Sequence, residues 1–241
     1  MANTIDERGD AAVFKDLVER TISSLTDDGI ETVGSFTFRG CTSLTSVSFP
    51  VATTIRGAAF QACTSLTSVS FPMATSIGAN AFRSCTALVS VSIPAVTSLG
   101  GCTFLDCGAL TSVSLSLITT LETSTFMNCT KLTSVSLPMV SLIKTSAFQG
   151  CVKLPQISLP VIRAINNYAF SGCTALSKMF LLGSSVVGFE GDQALKNTPM
   201  SKSSYLGYFG SIYVPSSLVS SYKTATNWSV FSARITAYTG D

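Results

Sequence analysis

The sequence of 241 residues contains no histidine, and only 12% of its residues are charged. Histidine is the most frequent general base in enzymes and a frequent ligand of structural zinc. The G-x-S-x-G, phosphate-loop and dinucleotide-binding motifs are also missing. We therefore predict a protein that is not an enzyme, with no catalytic residue, no cofactor and no bound metal.

Hydrophobic residues make up 46% of the sequence, yet no uninterrupted apolar run reaches the roughly 18 residues of a membrane-spanning helix. Serine or threonine interrupts every apolar stretch within a few positions, which indicates a buried core and predicts no membrane insertion. The first ten residues, MANTIDERGD, lack the basic start of a secretory signal. No signal peptide is predicted in the sequence as given.

Charge is unevenly distributed around a net value of +2. Residues 1–31 contain eight acidic and three basic side chains, whereas residues 32–182 contain two acidic and eight basic ones. The basic residues occur singly, at different positions relative to one another, and form no continuous stripe. We therefore predict solvated surface charge and no nucleic-acid partner.

A repeat of 22 residues dominates the sequence. Phenylalanine lies three positions before, and an apolar residue three positions after, each of seven regularly spaced cysteines: Cys41, Cys63, Cys85, Cys107, Cys129, Cys151 and Cys173. A unit of this length, repeated at least three times, is typical of a solenoid whose coils bury their apolar faces against one another. The aligned units are 31–52, 53–74, 75–96, 97–118, 119–140, 141–162 and 163–184.

Three aligned columns form the predicted core. The first is phenylalanine throughout: Phe38, Phe60, Phe82, Phe104, Phe126, Phe148 and Phe170. The second is leucine throughout: Leu44, Leu66, Leu88, Leu110, Leu132, Leu154 and Leu176. The third is aliphatic: Val33, Ile55, Ile77, Leu99, Leu121, Ile143 and Ile165. Rings repeated at one position of every coil are expected to stack along the solenoid axis.

The local pattern within a unit predicts one strand and one tight turn. Val47 and Phe49 alternate with serine, as in a strand, and proline follows this strand in five units, where it can end the ladder. The stretch at 57–60 is compatible with a single helical turn. The residue before each cysteine is often glycine or asparagine, which predicts a left-handed backbone there.

Units of the form LTSVSLPxxxxxIxxxAFxxCT resemble the BspA-like leucine-rich repeat over about residues 31–184, as in the segments 66–72 and 81–85. The tail at 212–228 resembles the closing segment of many such bacterial proteins. Family members are mostly surface-exposed or secreted proteins implicated in adhesion. The resemblance therefore implies a cell-surface or extracellular location and a protein or glycan partner.

We predict an α/β repeat solenoid: a right-handed leucine-rich-repeat superhelix with a parallel strand ladder, short helical turns on the other side and a cap at each end. Residues 1–30 are predicted to be an N-terminal capping helix, 31–184 the seven repeats and 185–241 the C-terminal cap. The helix would begin at Asp10 and end near Asp28. Its apolar face would contain Phe14, Leu17, Val18, Ile22 and Leu25. The C-terminal cap is predicted to contain strands at 211–214 and 234–238 and a helix near 217–228.

The seven cysteines of the repeat are interpreted as free buried thiols. Equivalent side chains of stacked coils point in the same direction and not toward each other, which disfavours disulfides. Cys102 lies outside this column and aligns with Ala58, Asn80 and Ser124. We expect Cys102 to be the most accessible thiol.

If Val47 and Phe49 point inward, the residues between and beside them point outward. The same logic gives one outward surface, which we call the serine face: Ser46, Ser48, Ser68, Ser70, Ser90, Ser92, Ser112, Ser114, Ser134, Ser136, Gln156, Ser158, Lys178 and Phe180. One interpretation is a neutral sheet surface without a ligand, and another is adhesion to a protein or glycan. Recognition of ice or a crystalline polysaccharide is disfavoured, because threonine with its stiffer side chain would be expected there.

Two adjacent columns after the strand are both apolar. The first of them, which we call the apolar stripe, is Val51, Met73, Ala95, Leu117, Met139 and Val161. In an extended segment one of the two columns would be exposed and would favour self-association, whereas in a tight turn both columns can be buried. The predicted function is therefore non-enzymatic binding through the serine face, or alternatively a structural module of an envelope or particle that assembles through the apolar stripe.

Overall fold

The computed structural model describes residues 4–5, 23–201 and 210–240. Short strands recur once or twice in every coil and pair in parallel with the coils before and after, giving a parallel β-solenoid of about nine coils with little helix. Two ladders of strands run along it, one on each side of a corner. We call them the front ladder and the side ladder.

The front ladder contains the predicted Ser-Val-Ser strands, and residues pair with those 22 positions later, as Ser68 does with Ser90. Its strands are Ser24–Thr26, Ser46–Ser48, Ser68–Ser70, Ser90–Ser92, Ser112–Ser114, Ser134–Ser136, Gln156–Leu159, Lys178–Leu181, Ser211–Val214 and Ile235–Ala237. The five prolines that follow these strands begin the next turn, as predicted.

The side ladder contains two-residue strands that place the third core column. Its strands are Thr4–Ile5, Thr32–Val33, Thr54–Ile55, Ser76–Ile77, Ser98–Leu99, Thr120–Leu121, Leu142–Ile143, Ala164–Ile165 and Gly188–Phe189. Pairing in both ladders is interrupted between the coils that contain Ser90–Ser92 and Ser112–Ser114.

A second interruption, confined to the front ladder, lies before Gln156–Leu159. The preceding residue is Pro155, whose equivalent Thr133 donates its backbone N–H to the carbonyl of Thr111 at 2.9 Å. Proline has no N–H, so this contact between coils cannot form.

The predicted short helical turns are not formed, and residues 31–184 contain no helix. In each coil a six-residue turn bonds to the next coil instead, as where the N–H of Phe38 donates to Ala59 O at 2.7 Å and that of Gly40 to Gln61 O at 2.7 Å. The prediction was wrong because alternate N–H groups point along the solenoid axis, where the neighbouring coil satisfies them, and not along a helix.

The left-handed backbone predicted before each cysteine is confirmed, with φ between 60° and 75° in all seven units. A second left-handed column was not predicted. It has φ between 55° and 61° and consists of Phe36, Ala58, Asn80, Cys102, Ser124, Ser146 and Tyr168. Its mixed composition hides it, because bulky side chains that point outward occupy it beside the small residues that favour this conformation.

The three predicted core columns are buried, and the phenylalanines form one continuous stack. Rings of successive coils lie 5.0 to 5.5 Å apart, with interplanar angles of 3° to 19°. All seven of these rings and all seven leucines of the second column have 0% exposure. Phe49 and Phe71 pack beside the first rings of the stack.

The N-terminal helix is wrong over residues 24–28, because Ser24–Thr26 is a strand that pairs in parallel with Ser46–Ser48. Residues 6–22, which contain Phe14, Leu17, Val18 and Ile22, lie outside the described residues. Leu25 fits the helical spacing, but it also lies 22 residues before Val47 and opposite it in the ladder. Packing of Leu25 against the core of the next coil decides in favour of the strand.

The 22-residue interval ends after residue 184. Ala164 pairs with Gly188, a separation of 24 residues, so the intervening loop contains two extra residues. Side chains of the C-terminal segment hold this loop. The N–H of Val187 donates to the hydroxyl of Tyr222 at 3.1 Å, and the Trp228 Nε1–H donates to the Val187 carbonyl at 2.7 Å.

The C-terminal segment contains the elements expected from the sequence. The strand predicted at 211–214 is present, the helix predicted near 217–228 is shorter, and the last strand is Ile235–Ala237. The α-helix is Val219–Thr224, and the 3-10 helices are Asp192–Leu195, Ser216–Leu218 and Ser229–Arg234. Within the described residues, no helix is long and apolar enough to cross a bilayer.

Candidate functional site

The serine face lies on the outside of the front ladder, as the alternation predicts. None of its fourteen residues is buried, and the exposure rises from half-buried at Ser46 and Ser68 to exposed at Ser112. The valines between the serines point inward, with exposures of 3% for Val69 and 5% for Val113. Since coils repeat about every 4.8 Å in a parallel ladder, the face is a regular array of short polar side chains.

The hydroxyl groups of this array are largely free of intramolecular partners. In the described part of the chain, Ser114 is the one serine of the face whose hydroxyl bonds to another side chain, at 3.4 Å from Ser116 Oγ. The threonines just before the strands behave differently. Thr67 Oγ1 donates to the Thr45 carbonyl at 2.9 Å, and Thr133 Oγ1 donates to that of Thr111 at 3.1 Å. Threonine hydroxyls thus bridge coils, while the serine hydroxyls face outward.

An aromatic cluster closes the C-terminal end of the serine face. Phe180 stacks on Tyr213 with ring centroids 4.8 Å apart and an angle of 12°, and Tyr238 meets Phe180 edge to face at 5.8 Å. All three side chains are half-buried, and Lys178 beside them is exposed. The sequence analysis included Phe180 and Lys178 but missed both tyrosines. The alternation in Ser211–Val214 is the signal that identifies Tyr213, because it pairs with Phe180 in the ladder.

The apolar stripe is exposed along most of its length. Met73 is 58% exposed, Met139 51%, Leu117 48%, Val161 41% and Val51 40%. The second column is buried instead: Ala52, Ala74, Val96, Ile118, Val140 and Ile162. The segment is a tight turn, in which the N–H of residue 52 donates to the carbonyl of residue 49 at 3.2 Å. A tight turn therefore buries one column only, contrary to the expectation that it buries both.

The two acidic residues of the repeats take part in contacts between coils. Lys144 Nζ lies 2.8 Å from both carboxylate oxygens of Glu122. The Asn128 side-chain amide donates to the Asp106 carboxylate at 2.9 Å. Within the described residues, no group of three histidine, cysteine, aspartate or glutamate side chains is arranged to hold a metal ion.

The seven cysteines of the column are free and buried, as predicted. Each of the last six donates its thiol to the carbonyl of the phenylalanine 25 residues earlier, at 2.9 to 3.2 Å, as Cys107 does to Phe82. Burial raises the pKa values of the Cys107, Cys129 and Cys151 thiols above the usual range. These thiols therefore act as small apolar groups that also satisfy a buried carbonyl.

Fold and sequence together define a leucine-rich-repeat solenoid, and a family model describes which kind. The BspA type leucine rich repeat region matches in six copies over 11–117, 53–177 and 97–213. The chain belongs to this BspA-type family. Leucine-rich repeat proteins commonly mediate protein binding or adhesion and are generally not enzymes.

Three solved structures are similar to the chain. The leucine-rich repeat protein of T. pallidum has 34% identity and a TM-score of 0.52, over 55% of this chain and 64% of that one, just under two thirds of its length. A leucine-rich repeat protein from Bacteroides ovatus has 15% identity over 89% and 92% of the two chains, with a TM-score of 0.41. One from Eubacterium ventriosum has 15% identity over 87% and 91%, with a TM-score of 0.45. Among curated proteins, none matches the chain.

The thiol geometry predicts one reactive cysteine in the folded protein. Cys102 is half-buried and the other seven are buried, so a thiol-specific chromogenic disulfide at pH 8 is expected to modify Cys102 first. The remaining thiols should react only after addition of denaturant. The variant Cys102→Ser should lose the fast phase and keep the slow one. Rapid modification of several thiols in that variant would contradict the buried cysteine column.

Proposed function

We propose that the chain is a non-enzymatic binding protein that recognises a protein or a glycan through the serine face. The observation that carries the proposal is the regular row of outward hydroxyl groups, which are not bonded within the chain and end at an aromatic cluster. Hydroxyl groups both donate and accept hydrogen bonds. A partner with repeated polar groups gains many weak contacts on such a surface.

The aromatic end is expected to contribute most of the affinity. Tyrosine and phenylalanine dominate binding energies because they bury large apolar areas at little entropic cost, and tyrosine adds a hydroxyl group. Phe180, Tyr213 and Tyr238 are already held against one another, so little ordering is required when a partner binds. Family membership also supports a location at the cell surface or outside the cell, where adhesion takes place.

Binding to a panel of matrix proteins and glycans tests this proposal with the double variant Ser90→Arg/Ser112→Arg. Two large cations on adjacent coils of the face are expected to weaken binding at least tenfold, because they block close approach and are left without a partner. Surface plasmon resonance measures the change.

The matched control is Thr97→Arg/Thr119→Arg, which adds the same charges on the same two coils at exposed positions away from the serine face. This control should bind as the unchanged protein does. Equal weakening in both variants, or no binding by the unchanged protein to any member of the panel, would overturn recognition by the serine face.

The exposed apolar stripe favours self-association as a second candidate function. Its five exposed side chains form a row along the solenoid, and a contiguous apolar row is a frequent site of contact between proteins. If it mediates assembly, Leu117→Lys/Met139→Lys lowers the mass observed by sedimentation at high protein concentration. The control Ser114→Lys/Ser136→Lys adds equal charge on the same coils and should leave the mass unchanged. A monomer before and after the substitutions would exclude this function.

Two architectural features are part of the same proposal. We infer that the coils wind in a right-handed sense, since connections between parallel strands almost always do. We also infer that residues 1–30 and 185–241 close the two ends of the solenoid, because terminal coils otherwise expose their apolar interior. The buried Tyr222, Trp228 and Phe231, packed against Phe189, support this role at the C-terminal end.

A further inference from the structure

The turn side of the first three coils contains a depression that is separate from the serine face. Its volume is about 400 Å³, within the range of sites that bind small ligands or parts of peptides. Three neighbouring positions of three consecutive coils line it: Ser35, Phe36, Arg39, Gly57, Ala58, Gln61, Ala79, Asn80 and Arg83.

The shape of this depression follows from the size of its side chains. Gly57, Ala58 and Ala79 contribute little bulk and leave the centre low. Arg39 and Arg83 are long, exposed and occupy the same position two coils apart, so they form one rim.

The charge around the depression is positive only. Residues 32–105 contain three basic residues, all arginine, and no aspartate or glutamate. Among the described residues, neither Arg39 nor Arg83 has a carboxylate within 4 Å, whereas Lys144 in a later coil pairs with Glu122 at 2.8 Å. The third arginine, Arg56, directly precedes the lining residue Gly57 and is exposed.

The spacing of the two arginines indicates the size of ligand that they can hold together. Two coils of a parallel ladder separate their backbones by about 10 Å. Alternate residues of an extended peptide point to the same side and lie about 7 Å apart. Two flexible arginine side chains that incline toward each other match this distance, and each can bind a carboxylate through two parallel hydrogen bonds.

The remaining lining residues favour a peptide over an acidic sugar. Gln61 and Asn80 carry amide groups that complement the N–H and C=O groups of a peptide backbone. Phe36 is 49% exposed, but the Arg39 guanidinium lies 5.8 Å from the centre of its ring and occupies one face. A sugar that stacks on aromatic rings would compete with this cation, whereas a carboxylate would bind beside it.

We propose that this depression binds an extended acidic peptide segment of the type Glu-x-Glu, with its two carboxylates on Arg39 and Arg83. The segment lies across the first three coils, and its backbone contacts the amides of Gln61 and Asn80. The site is distinct from the serine face and gives the solenoid a second binding surface for acidic partners.

Fluorescence anisotropy with a labelled (Glu-Ala)₄ peptide at low ionic strength tests the proposal, with (Gln-Ala)₄ as the uncharged probe. We expect (Glu-Ala)₄ to bind and (Gln-Ala)₄ not to bind. The variant Arg39→Gln/Arg83→Gln should weaken binding at least about tenfold, because two charge-assisted contacts are lost. The variant Arg39→Lys/Arg83→Lys keeps the charge but loses the paired hydrogen bonds, so an intermediate affinity is expected.

The matched control is Lys131→Gln/Lys153→Gln, which removes the same net charge at two exposed positions of later coils and should change binding less than twofold. Circular dichroism establishes that each variant is folded. Three results would overturn the proposal: no binding of (Glu-Ala)₄, an equal loss in the arginine and lysine variants, or binding of a sulfated oligosaccharide that depends on both arginines while the peptide does not bind.

Discussion

The stack of seven phenylalanine rings is the constraint on which the rest of the structure depends. Each ring lies 5.0 to 5.5 Å from the next and is fully buried, so every coil must place its ring at the same point. This requirement fixes the 22-residue interval and leaves no room for an insertion within a coil. The cysteine thiols strengthen it, because each one bonds to the carbonyl of a phenylalanine in the neighbouring coil.

The outer surfaces follow from this interior. Since alternate residues of each front strand point inward, the residues between them are held at the spacing of the coils, with their hydroxyl groups outward. Threonine occupies positions where a hydroxyl group bonds to the preceding coil, and serine occupies positions where it does not. The same geometry exposes the apolar stripe on one side and the pair Arg39 and Arg83 on the other. A rigid interior thus presents three chemically different surfaces.

Repetition decides which features of the sequence predict structure. The core columns, the inward and outward alternation and the left-handed residue before each cysteine recur seven times, and all are confirmed. The helical turns were wrong because a stretch such as 57–60 has helical composition, while bonding between coils decides its backbone. Leu25 fits both a helix and a strand, and only stacking on the next coil separates them. Tyr213 and Tyr238 lie beyond the repeat, where no column shows that they join Phe180.

The most direct test of the phenylalanine stack is the free energy of unfolding of Phe104→Ala, measured with urea beside Phe36→Ala. Phe104 lies between two rings at 5.5 Å and is fully buried, whereas Phe36 is 49% exposed. The account predicts a loss of about 3–5 kcal/mol for Phe104→Ala and less than about 1 kcal/mol for Phe36→Ala. Equal small losses would contradict the stack as the constraint that holds the coils in register.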